Sequence, residues 1–480
     1  CMAMSRKILK MSNVRKTINY LKKNGIRHAC YAVRERIEEE RKDTYTYTGP
    51  QPAELLRQRK ETEEYPYLFS IVVPAYHTKE EFLREMIESV RRQSYQKWEL
   101  ILADASQEDQ VGRIVKEITQ KTGDIRIKYR KLNENKGISG NTNAGIALAA
   151  GDYIALLDHD DVLAPDALYY MAMVLQQAKE KGISPYLIYT DEDKLENSTG
   201  LYNSPHQKEN FNLDLILSNN YICHFMAVEA GLMKQLLLRK VYDGAQDYDL
   251  VLRVVAEGLK EGHPAALENR ILHVPRILYH WRCHADSTAE NTASKAYAYE
   301  AGKAALEDFC QHQGWCVTVC HSLHLGFYQI AYEPDMFSVR ADVGIVGGRI
   351  LDRQGRICAG AYDKEGKCLY EGLPGHYSGG STHRAVLKQD CPVVDIRCMQ
   401  VRPALREIYE EITGLPYQER ELKIRENGKS CVTAIADVRA LSCDEAGYRK
   451  LSRELCRAVR EKGYRIVWNP EITMKWGKQE

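Results

Sequence analysis

The sequence lacks any apolar run that approaches the roughly 20 residues needed to cross a bilayer. Its first residues also lack the apolar core of a secretory signal. Charge of one sign is not in excess, because 67 lysines and arginines balance 66 aspartates and glutamates, so no nucleic-acid partner is expected. These absences favour a cytoplasmic location. The 44% of apolar and 28% of charged residues are typical of globular domains.

Two familiar phosphate-binding loops are also missing. Neither Gly-x-x-x-x-Gly-Lys-Ser/Thr nor Gly-x-Gly-x-x-Gly follows the first predicted strand. Their absence argues against a phosphate-cradling kinase and against a dinucleotide dehydrogenase. Any diphosphate bound by this chain therefore has to be held by another group, such as a metal ion.

Acidic residues are absent from the first 34 positions, where lysines and arginines crowd together. Apolar residues recur among them at three- and four-residue steps: Ile8, Met11, Val14, Ile18 and Leu21. This pattern predicts an amphipathic helix. Residues 8–27 would then lie on an anionic membrane surface, at the inner face of the cell membrane, or pack on the main domain with the basic face in solvent. The sequence leaves both interpretations open.

The fourteen cysteines follow no regular framework, which favours reduced thiols over disulfides. One cluster offers zinc ligands: Cys310, His312, Cys316, Cys320, His321 and His324. Its spacing matches no familiar zinc finger, and the alternation near Cys316 predicts a strand instead.

From Phe69 onward, apolar strands alternate with amphipathic helices. This alternation predicts an α/β domain with a mostly parallel sheet flanked by helices. We divide the chain into a basic helical arm with a linker (1–65), the main α/β domain (66–300), a connector (301–330) and a smaller α/β domain (331–480). Thr78 and Glu81 form a predicted capping box before the first helix of the main domain.

Polar residues gather where the predicted strands end. Pro74-Ala75-Tyr76 follows the first strand, Asp104 ends the second, and Asp158-His-Asp160-Asp161 follows the fourth. In parallel sheets these carboxyl ends share one ligand-binding edge. Helix capping would explain one carboxylate of the last group, but three favour a hard divalent cation, Mg²⁺ or Mn²⁺, that holds a diphosphate.

The motifs together resemble family 2 glycosyltransferases. They are Phe69-Ser-Ile-Val-Val-Pro-Ala-Tyr, Leu102-Ala-Asp-Ala-Ser, Asn135-Lys-Gly-Ile-Ser-Gly-Asn-Thr-Asn-Ala-Gly, Leu157-Asp-His-Asp-Asp-Val-Leu-Ala-Pro-Asp, Tyr189-Thr-Asp-Glu-Asp-Lys, Gly244-Ala-Gln-Asp-Tyr-Asp-Leu and Leu278-Tyr-His-Trp-Arg. The resemblance covers about half of the chain and is closest to bacterial enzymes of cell-wall, capsule and O-antigen synthesis, often rhamnosyltransferases. It implies the GT-A fold.

The resemblance also implies roles for single residues. Nucleotide contacts are expected from Pro74, Ala75, Tyr76, Asp104, Asn141 and Asp158, and metal contacts from Asp158, Asp160 and His280. Asp247 matches the family's catalytic base, and Asp191, Glu192, Asp193 and Trp281 are expected at the acceptor side. Three of these assignments have structural alternatives: a helix cap for Asn141, a dipole-stabilising carboxylate for Asp247 and a packed core histidine for His280.

A weaker copy of one motif recurs near the C-terminus. Arg457 to Gly463 followed by Asn469 to Trp476 echoes Arg253 to Gly258 followed by Val274 to Trp281, with the same spacing from proline to tryptophan. The copy has Ser452 in the place of Asp247, and it lacks the acidic Asp-x-Asp motif. Residues 331–480 are therefore interpreted as a degenerate, partial transferase-like domain.

The sequence thus predicts an inverting glycosyltransferase of surface polysaccharide synthesis. Its donor would be thymidine-diphosphate rhamnose or a uridine-diphosphate sugar, and its acceptor a glycan or lipid-linked glycan. The alternative is a catalytically silent protein that binds nucleotide within a polysaccharide-synthesis complex. A nucleotidyltransferase is less favoured, because Pro74-Ala-Tyr-His is not a lysine-containing phosphate loop.

Overall fold

The computed structural model describes residues 21, 25–38, 44–262, 264–284, 292–421, 433–435, 441 and 443–476. The chain forms two compact units. The large-sheet unit contains Thr44–Phe211 and Asn220–Phe309. The small-sheet unit contains Cys1–Asp43, Asn212–Asn219 and Cys310–Glu480.

The predicted basic helix at residues 8–21 lies, apart from Leu21, outside the described residues. Within the described part of the chain, no helix is both long and apolar enough to span a membrane.

Strands and helices are numbered along the whole chain. The strands are β1 Phe69–Ala75, β2 Trp98–Asp104, β3 Ile127–Lys131, β4 Tyr153–Leu156, β5 Val162–Leu163, β6 Leu187–Glu196, β7 Leu201–His206, β8 Met226–Glu229, β9 Ile271–Cys283, β10 Val317–His321, β11 Tyr328–Tyr332, β12 Val343–Leu351, β13 Ile357–Ala359, β14 Ala361–Tyr362, β15 Gln389–Asp390, β16 Val393–Val394, β17 Met399–Val401, β18 Glu419–Glu421, β19 Thr433–Ile435 and β20 Arg465–Lys475. The α-helices are α1 Pro52–Glu61, α2 Glu80–Arg91, α3 Gln110–Thr122, α4 Gly137–Ile146, α5 Ala167–Glu180, α6 Leu213–Ile216, α7 Ala230–Leu236, α8 Gln246–Leu259, α9 Pro264–Arg270, α10 Thr292–His312, α11 Met336–Val339, α12 Arg406–Thr413 and α13 Glu445–Glu461.

The large sheet has the strand order β3-β2-β1-β4-β8-β6-β9-β5, with β7 paired to β6. The first four strands are parallel, as the alternation of strands and helices predicts. The other half departs from the predicted mostly parallel sheet. There β8 runs antiparallel to β4 and β6, and β6 forms an antiparallel ladder with β7. Strand β7 runs antiparallel to β6 because a short loop, and not a crossover helix, joins these two strands.

Strand β1 is an apolar run because it is covered on both faces, as parallel strands usually are. Helix α2 covers one face with Leu83, Met86 and Val90, which are fully buried. The predicted capping box before this helix does not form. Lys79 occupies the cap position, and its side chain makes no capping hydrogen bond. The buried hydroxyl of Thr78 has no hydrogen-bond partner among the described residues. Acidic residues in the first turn favour the helix N-terminus through the dipole instead.

The small-sheet unit has a five-stranded sheet in the order β13-β12-β20-β15, with β17 paired to β12. Helix α13 precedes β20, which lies parallel to β12. Buried ion pairs attach α6 to this unit: Arg340 contacts Asp214 at 3.2 Å and Asp342 at 2.8 Å. The predicted α/β character of the second domain is confirmed.

The cysteine and histidine cluster at 310–324 shows no zinc-type grouping among the described side chains. Cys310 is buried, whereas Cys316 and Cys320 are exposed. The predicted strand near Cys316 is β10.

A glycine fixes the entry into β4, the strand that leads to the acidic motif. A Cβ placed on Gly151 would lie 2.6 Å from the Leu68 carbonyl oxygen and 2.8 Å from the Ser70 backbone nitrogen. The Gly151 N–H donates to Ser70 Oγ at 2.8 Å. Only a residue without a side chain lets this turn approach β1 so closely.

We predict that Gly151→Ala lowers the free energy of unfolding by about 1–3 kcal/mol, because the clash is with backbone that cannot rotate away. Urea unfolding of the full chain measures the change. Gly49→Ala is the matched control, since its added Cβ meets nothing closer than 3.7 Å. Equal effects of the two substitutions would contradict the explanation.

Candidate functional site

The ends of β1 and β2 lie side by side. Ala75 is in register with Asp104, and the Ala105 N–H donates to the Ala75 carbonyl at 2.9 Å. Asp104 is fully buried. Its Oδ1 accepts the Ser106 N–H at 2.9 Å, and its Oδ2 accepts the Tyr129 hydroxyl at 2.8 Å. Strand pairing therefore brings the predicted nucleotide residues of these two strand ends together.

Asn141 is buried at the start of α4, where it holds the preceding loop. Its Oδ1 accepts the Lys136 N–H at 3.0 Å, and its Nδ2 donates to Asn135 Oδ1 at 2.9 Å. Both ends of the amide are engaged within this loop. The geometry therefore favours the structural alternative for Asn141, a turn-stabilising side chain, over the predicted nucleotide contact.

The three carboxylates after β4 have different partners. Asp161 is buried, and its Oδ2 accepts the Tyr279 hydroxyl while its Oδ1 accepts the Arg282 N–H at 2.7 Å. Asp160 Oδ2 accepts His284 Nε2 at 2.9 Å. The Asp158 side chain is 44% exposed and lies 3.7 Å from His224 Nε2. Asp161 thus fastens the loop to β9, while Asp158 and Asp160 keep oxygen atoms for a ligand.

Negative charge accumulates at this loop. Loss of hydration raises the pKa of Asp158, and the nearby carboxylates of Asp160 and Asp247 raise it further, although His224 opposes them. Burial, followed by Asp160 and Asp158, raises the pKa of Asp161 well above its ordinary value. A divalent cation would relieve this repulsion, and the oxygen donors present fit Mg²⁺ or Mn²⁺.

His280 is not beside these carboxylates. Its Nδ1 donates to Asp193 Oδ1 at 2.6 Å, and the ring lies between Tyr47 and Tyr202. Neighbouring strand residues point to opposite faces of a sheet, and Tyr279 takes the face of the acidic loop. The geometry therefore favours the alternative of a packed core histidine for His280, and His284 is the histidine that contacts Asp160.

Two of the predicted acceptor-side carboxylates, Asp191 and Asp193, have partners of their own within the sheet. Asp191 Oδ1 accepts His273 Nε2 and the Lys208 N–H, each at 2.8 Å. Asp193 is engaged with His280 and with the Tyr45 hydroxyl at 2.7 Å. Both carboxylates are buried and hydrogen-bonded, so their predicted acceptor contact is not supported by their positions.

Glu192 and Trp281 instead lie on the face of the large sheet where Tyr279 contacts the acidic loop. Glu192 is in register with Tyr279, and Trp281 lies 5.8 Å from the ring of His224. Of the four predicted acceptor residues, these are the two that the structure places near Asp158.

A network around His224 was not predicted from the sequence. The His224 ring stacks on Tyr279 at 4.9 Å, with Nδ1 3.4 Å from Glu192 and Nε2 3.7 Å from Asp158. The buried Lys208 Nζ donates to the Ile222 carbonyl at 2.6 Å and to the His224 carbonyl, and it lies 3.3 Å from Glu192. Irregular loops carry these residues, so no periodicity indicated them.

Glu192, Cys223 and His224 form the one group of three potential metal ligands within the described ranges. The ammonium group of Lys208 beside Glu192 disfavours a second cation there. Burial alone would raise the pKa of Glu192, but Lys208, with His206 and His224, lowers it well below its ordinary value.

Asp247 lies in the first turn of α8, as predicted. Its Oδ2 accepts Asn220 Nδ2 at 2.8 Å, while Asn220 Oδ1 accepts the Cys223 N–H at 3.2 Å. Asn220 therefore joins the carboxylate to the loop that carries His224. His224 in turn lies 3.7 Å from Asp158, so this loop connects the two predicted sites.

We predict that Lys208→Met destabilises the chain by about 3–5 kcal/mol, because it leaves the buried Glu192 carboxylate without its ammonium partner. Urea unfolding measures the loss, and Lys208→Met combined with Glu192→Gln should recover much of it. In the single variant the pKa of Glu192 rises, so the deficit should shrink between about pH 7 and about pH 5. A loss of stability that neither Glu192→Gln nor the lower pH reduces would contradict this role of Lys208.

The family described as Glycosyl transferase family 2 matches residues 70–237. The uncharacterized protein y4gI of Sinorhizobium fredii is 40% identical over 243 residues, which cover 50% of this chain and 25% of that protein. The O-antigen biosynthesis protein RfbC of Myxococcus xanthus is 32% identical over 249 residues, which cover 52% of this chain and 18% of that protein. A crystal structure of S. aureus TarS 1–349 in complex with UDP-GlcNAc aligns over 50% of this chain and 65% of that one, with a TM-score of 0.38 and 18% identity.

The chain spans a quarter or less of the length of these two relatives. The matched residues 70–237 include the strand ends at Ala75 and Asp104, the acidic loop and His224. The candidate site therefore lies largely within the segment that is similar to glycosyltransferase family 2.

Proposed function

We propose that the large-sheet unit transfers a sugar from a nucleoside-diphosphate donor to a glycan or lipid-linked glycan acceptor in surface polysaccharide synthesis. One observation carries this proposal: the loop of Asn220 and His224 connects Asp158, which suits a metal-bound diphosphate, to Asp247, which suits a general base. The sheet edge and the family match support it.

The donor nucleoside is proposed to lie against the ends of β1 and β2. Tyr76 is 43% exposed and can face a base or ribose, whereas Asp104 is fully buried. Asp104 already accepts from Ser106, Tyr129 and Lys131. Asp104 therefore fixes in advance the strand end against which the base would lie, which limits the entropy lost on binding. Thymidine-diphosphate rhamnose and uridine-diphosphate sugars are the two donor classes we propose.

Asp158 and Asp160 are the residues that would hold a divalent cation, Mg²⁺ or Mn²⁺. Such a cation supplies charge stabilisation to the leaving diphosphate. The chain's own part is orientation: His284 donates to Asp160, and Asp161 fixes the loop to β9. His224 lies beside Asp158 and can donate to a phosphate oxygen from the opposite side.

Asp247 is proposed as the base that takes the proton from the acceptor hydroxyl as this oxygen attacks the anomeric carbon. Attack from the face opposite the leaving group inverts the configuration at that carbon. The hydrogen bond from Asn220 orients the carboxylate. Glu192 and Trp281 are proposed to border the acceptor, since both lie near His224.

The alternative, a silent nucleotide-binding assembly protein, does not need an intact base. Asp247 is retained and held by a specific partner, which favours catalysis. Contact of residues 8–27 with a membrane surface stays a prediction, since most of them lie outside the described residues.

The first test is calorimetric titration of the full chain with uridine and thymidine diphosphates, with and without Mn²⁺. We expect metal-dependent binding that Asp160→Ala weakens by at least about tenfold, because a direct oxygen ligand is lost. Glu64→Ala, an exposed carboxylate of the same unit, is the control and should change nothing. Nucleotide binding that changes neither with Mn²⁺ nor in Asp160→Ala would overturn the metal assignment.

The second test concerns the base. Asp247→Asn should lower kcat by about 10² to 10⁴ while the Kd for the nucleotide stays unchanged. Turnover is followed as nucleoside diphosphate released from the donor. Glu257→Gln, in the last turns of the same helix, is the control.

Asn220→Ala tests whether Asn220 positions the Asp247 carboxylate. Loss of its hydrogen bond should lower kcat while the Kd for the nucleotide stays unchanged, because Asn220 then no longer orients the Asp247 carboxylate. Full activity of Asp247→Asn would exclude Asp247 as the base.

A further inference from the structure

The small-sheet unit contains a cavity of about 430 Å³ that the proposed chemistry does not use. Its lining residues are Tyr362, Gly366, Glu445, Ala446, Arg449 and Arg453. This volume lies within the range of small-molecule sites and exceeds what a single inorganic anion fills. The cavity therefore has room for one sugar ring.

Two guanidinium groups face this cavity without a carboxylate partner among the described residues. Arg449 and Arg453 are four residues apart on α13, so they lie one above the other on the same face of the helix. The Nε of Arg449 is buried and has no hydrogen-bond partner in the described part of the chain. The guanidinium group of Arg449, which lines the cavity, therefore has unused capacity to donate hydrogen bonds.

The nearby carboxylates are already engaged. Asp395 accepts Arg397 at both oxygens, each at 2.8 Å, and also accepts the Tyr362 hydroxyl at 2.5 Å. Glu445 lies 2.6 Å from Arg397 Nη1. Arg397 thus forms ion pairs with Asp395 and Glu445. The guanidinium groups of Arg449 and Arg453 therefore stay available for a ligand.

Gly366 lies in the turn beside Arg453. Its φ of 87° falls in the left-handed region that favours glycine. A Cβ at this position would lie 3.4 Å from Arg453 Nη1, an ordinary van der Waals distance. The turn therefore borders the cavity next to the Arg453 guanidinium group.

We propose that this cavity binds an anionic saccharide residue, a sugar ring that carries a carboxylate or a phosphate. Arg449 and Arg453 hold the anionic group, since paired guanidinium donors match the geometry of both anions. The exposed side of Glu445 accepts a sugar hydroxyl. That the ligand is a saccharide rests on the proposed function, whereas its negative charge follows from the two arginines alone. The small-sheet unit would then recognise part of an acidic glycan.

The experiment is calorimetric titration of the full chain with glucuronate, glucose 6-phosphate, glucose and inorganic phosphate. We expect glucuronate or glucose 6-phosphate to bind at least about tenfold more tightly than glucose, as charge-assisted hydrogen bonds predict. The better of the two names the source of the negative charge. Inorganic phosphate that binds as tightly as glucose 6-phosphate would overturn the saccharide site, because the ring would then contribute nothing.

The variant R449Q/R453Q should weaken binding of the anionic sugar by at least about tenfold. The matched control is K450Q/R457Q, which removes two positive charges from the same helix at residues 70% and 74% exposed that do not line the cavity. Unchanged binding in R449Q/R453Q, or equal losses in both variants, would overturn the proposal.

Nucleotide titration separates this site from the transferase site. R449Q/R453Q should bind the nucleoside diphosphate as the unaltered chain does, and D160A should bind the anionic sugar normally. If nucleotides bind and anionic sugars do not, this inference fails alone. If anionic sugars bind and nucleotides do not, the proposed transferase function fails while the saccharide site stands.

Discussion

The buried carboxylate of Asp161 holds the candidate site together. It accepts from the Tyr279 hydroxyl and from the Arg282 N–H, so the loop after β4 cannot move independently of β9. The neighbouring residues Asp158 and Asp160 are thereby kept at the sheet edge despite their mutual repulsion. A fully solvated loop would relax by moving its charges apart, and the site would lose its preorganised cluster of oxygens.

Histidines divide the acidic residues of the large-sheet unit into two groups. Asp191 and Asp193 each have a buried histidine partner, His273 and His280, and serve packing. Asp158 and Asp160 have histidine contacts at the cleft, where their side chains are partly exposed. Burial therefore separates carboxylates that support the sheet from carboxylates that remain open to a ligand.

The two units repeat one arrangement, a helix followed by a long strand that pairs parallel within its sheet. In the large-sheet unit it is α8 and then, after the short helix α9, strand β9. In the small-sheet unit it is α13 followed by β20. Near the start of the helix the first copy presents Asp247, whereas the second presents arginines towards a cavity. In the alignment of the two motifs Ser452 replaces Asp247, and its hydroxyl accepts the Ile396 N–H within the core. This arrangement agrees with the predicted descent of the second domain from a transferase, which stays a hypothesis.

The sequence by itself determined the order of strands and helices through β4, since apolar runs and amphipathic periods depend only on neighbouring residues. It also placed Asp104, Asp158, Asp160 and Asp247 at element ends, where turn and motif signals are local. The tertiary structure alone decided the partners of each side chain. The sequence pointed to His280 as a metal ligand, yet His280 is buried against Asp193, whereas His284, just after the end of β9, lies beside Asp160. Lys208, Asn220 and His224 come from loops without periodicity, and only folding brings them to the cleft, because pairing across the sheet joins residues far apart in the chain.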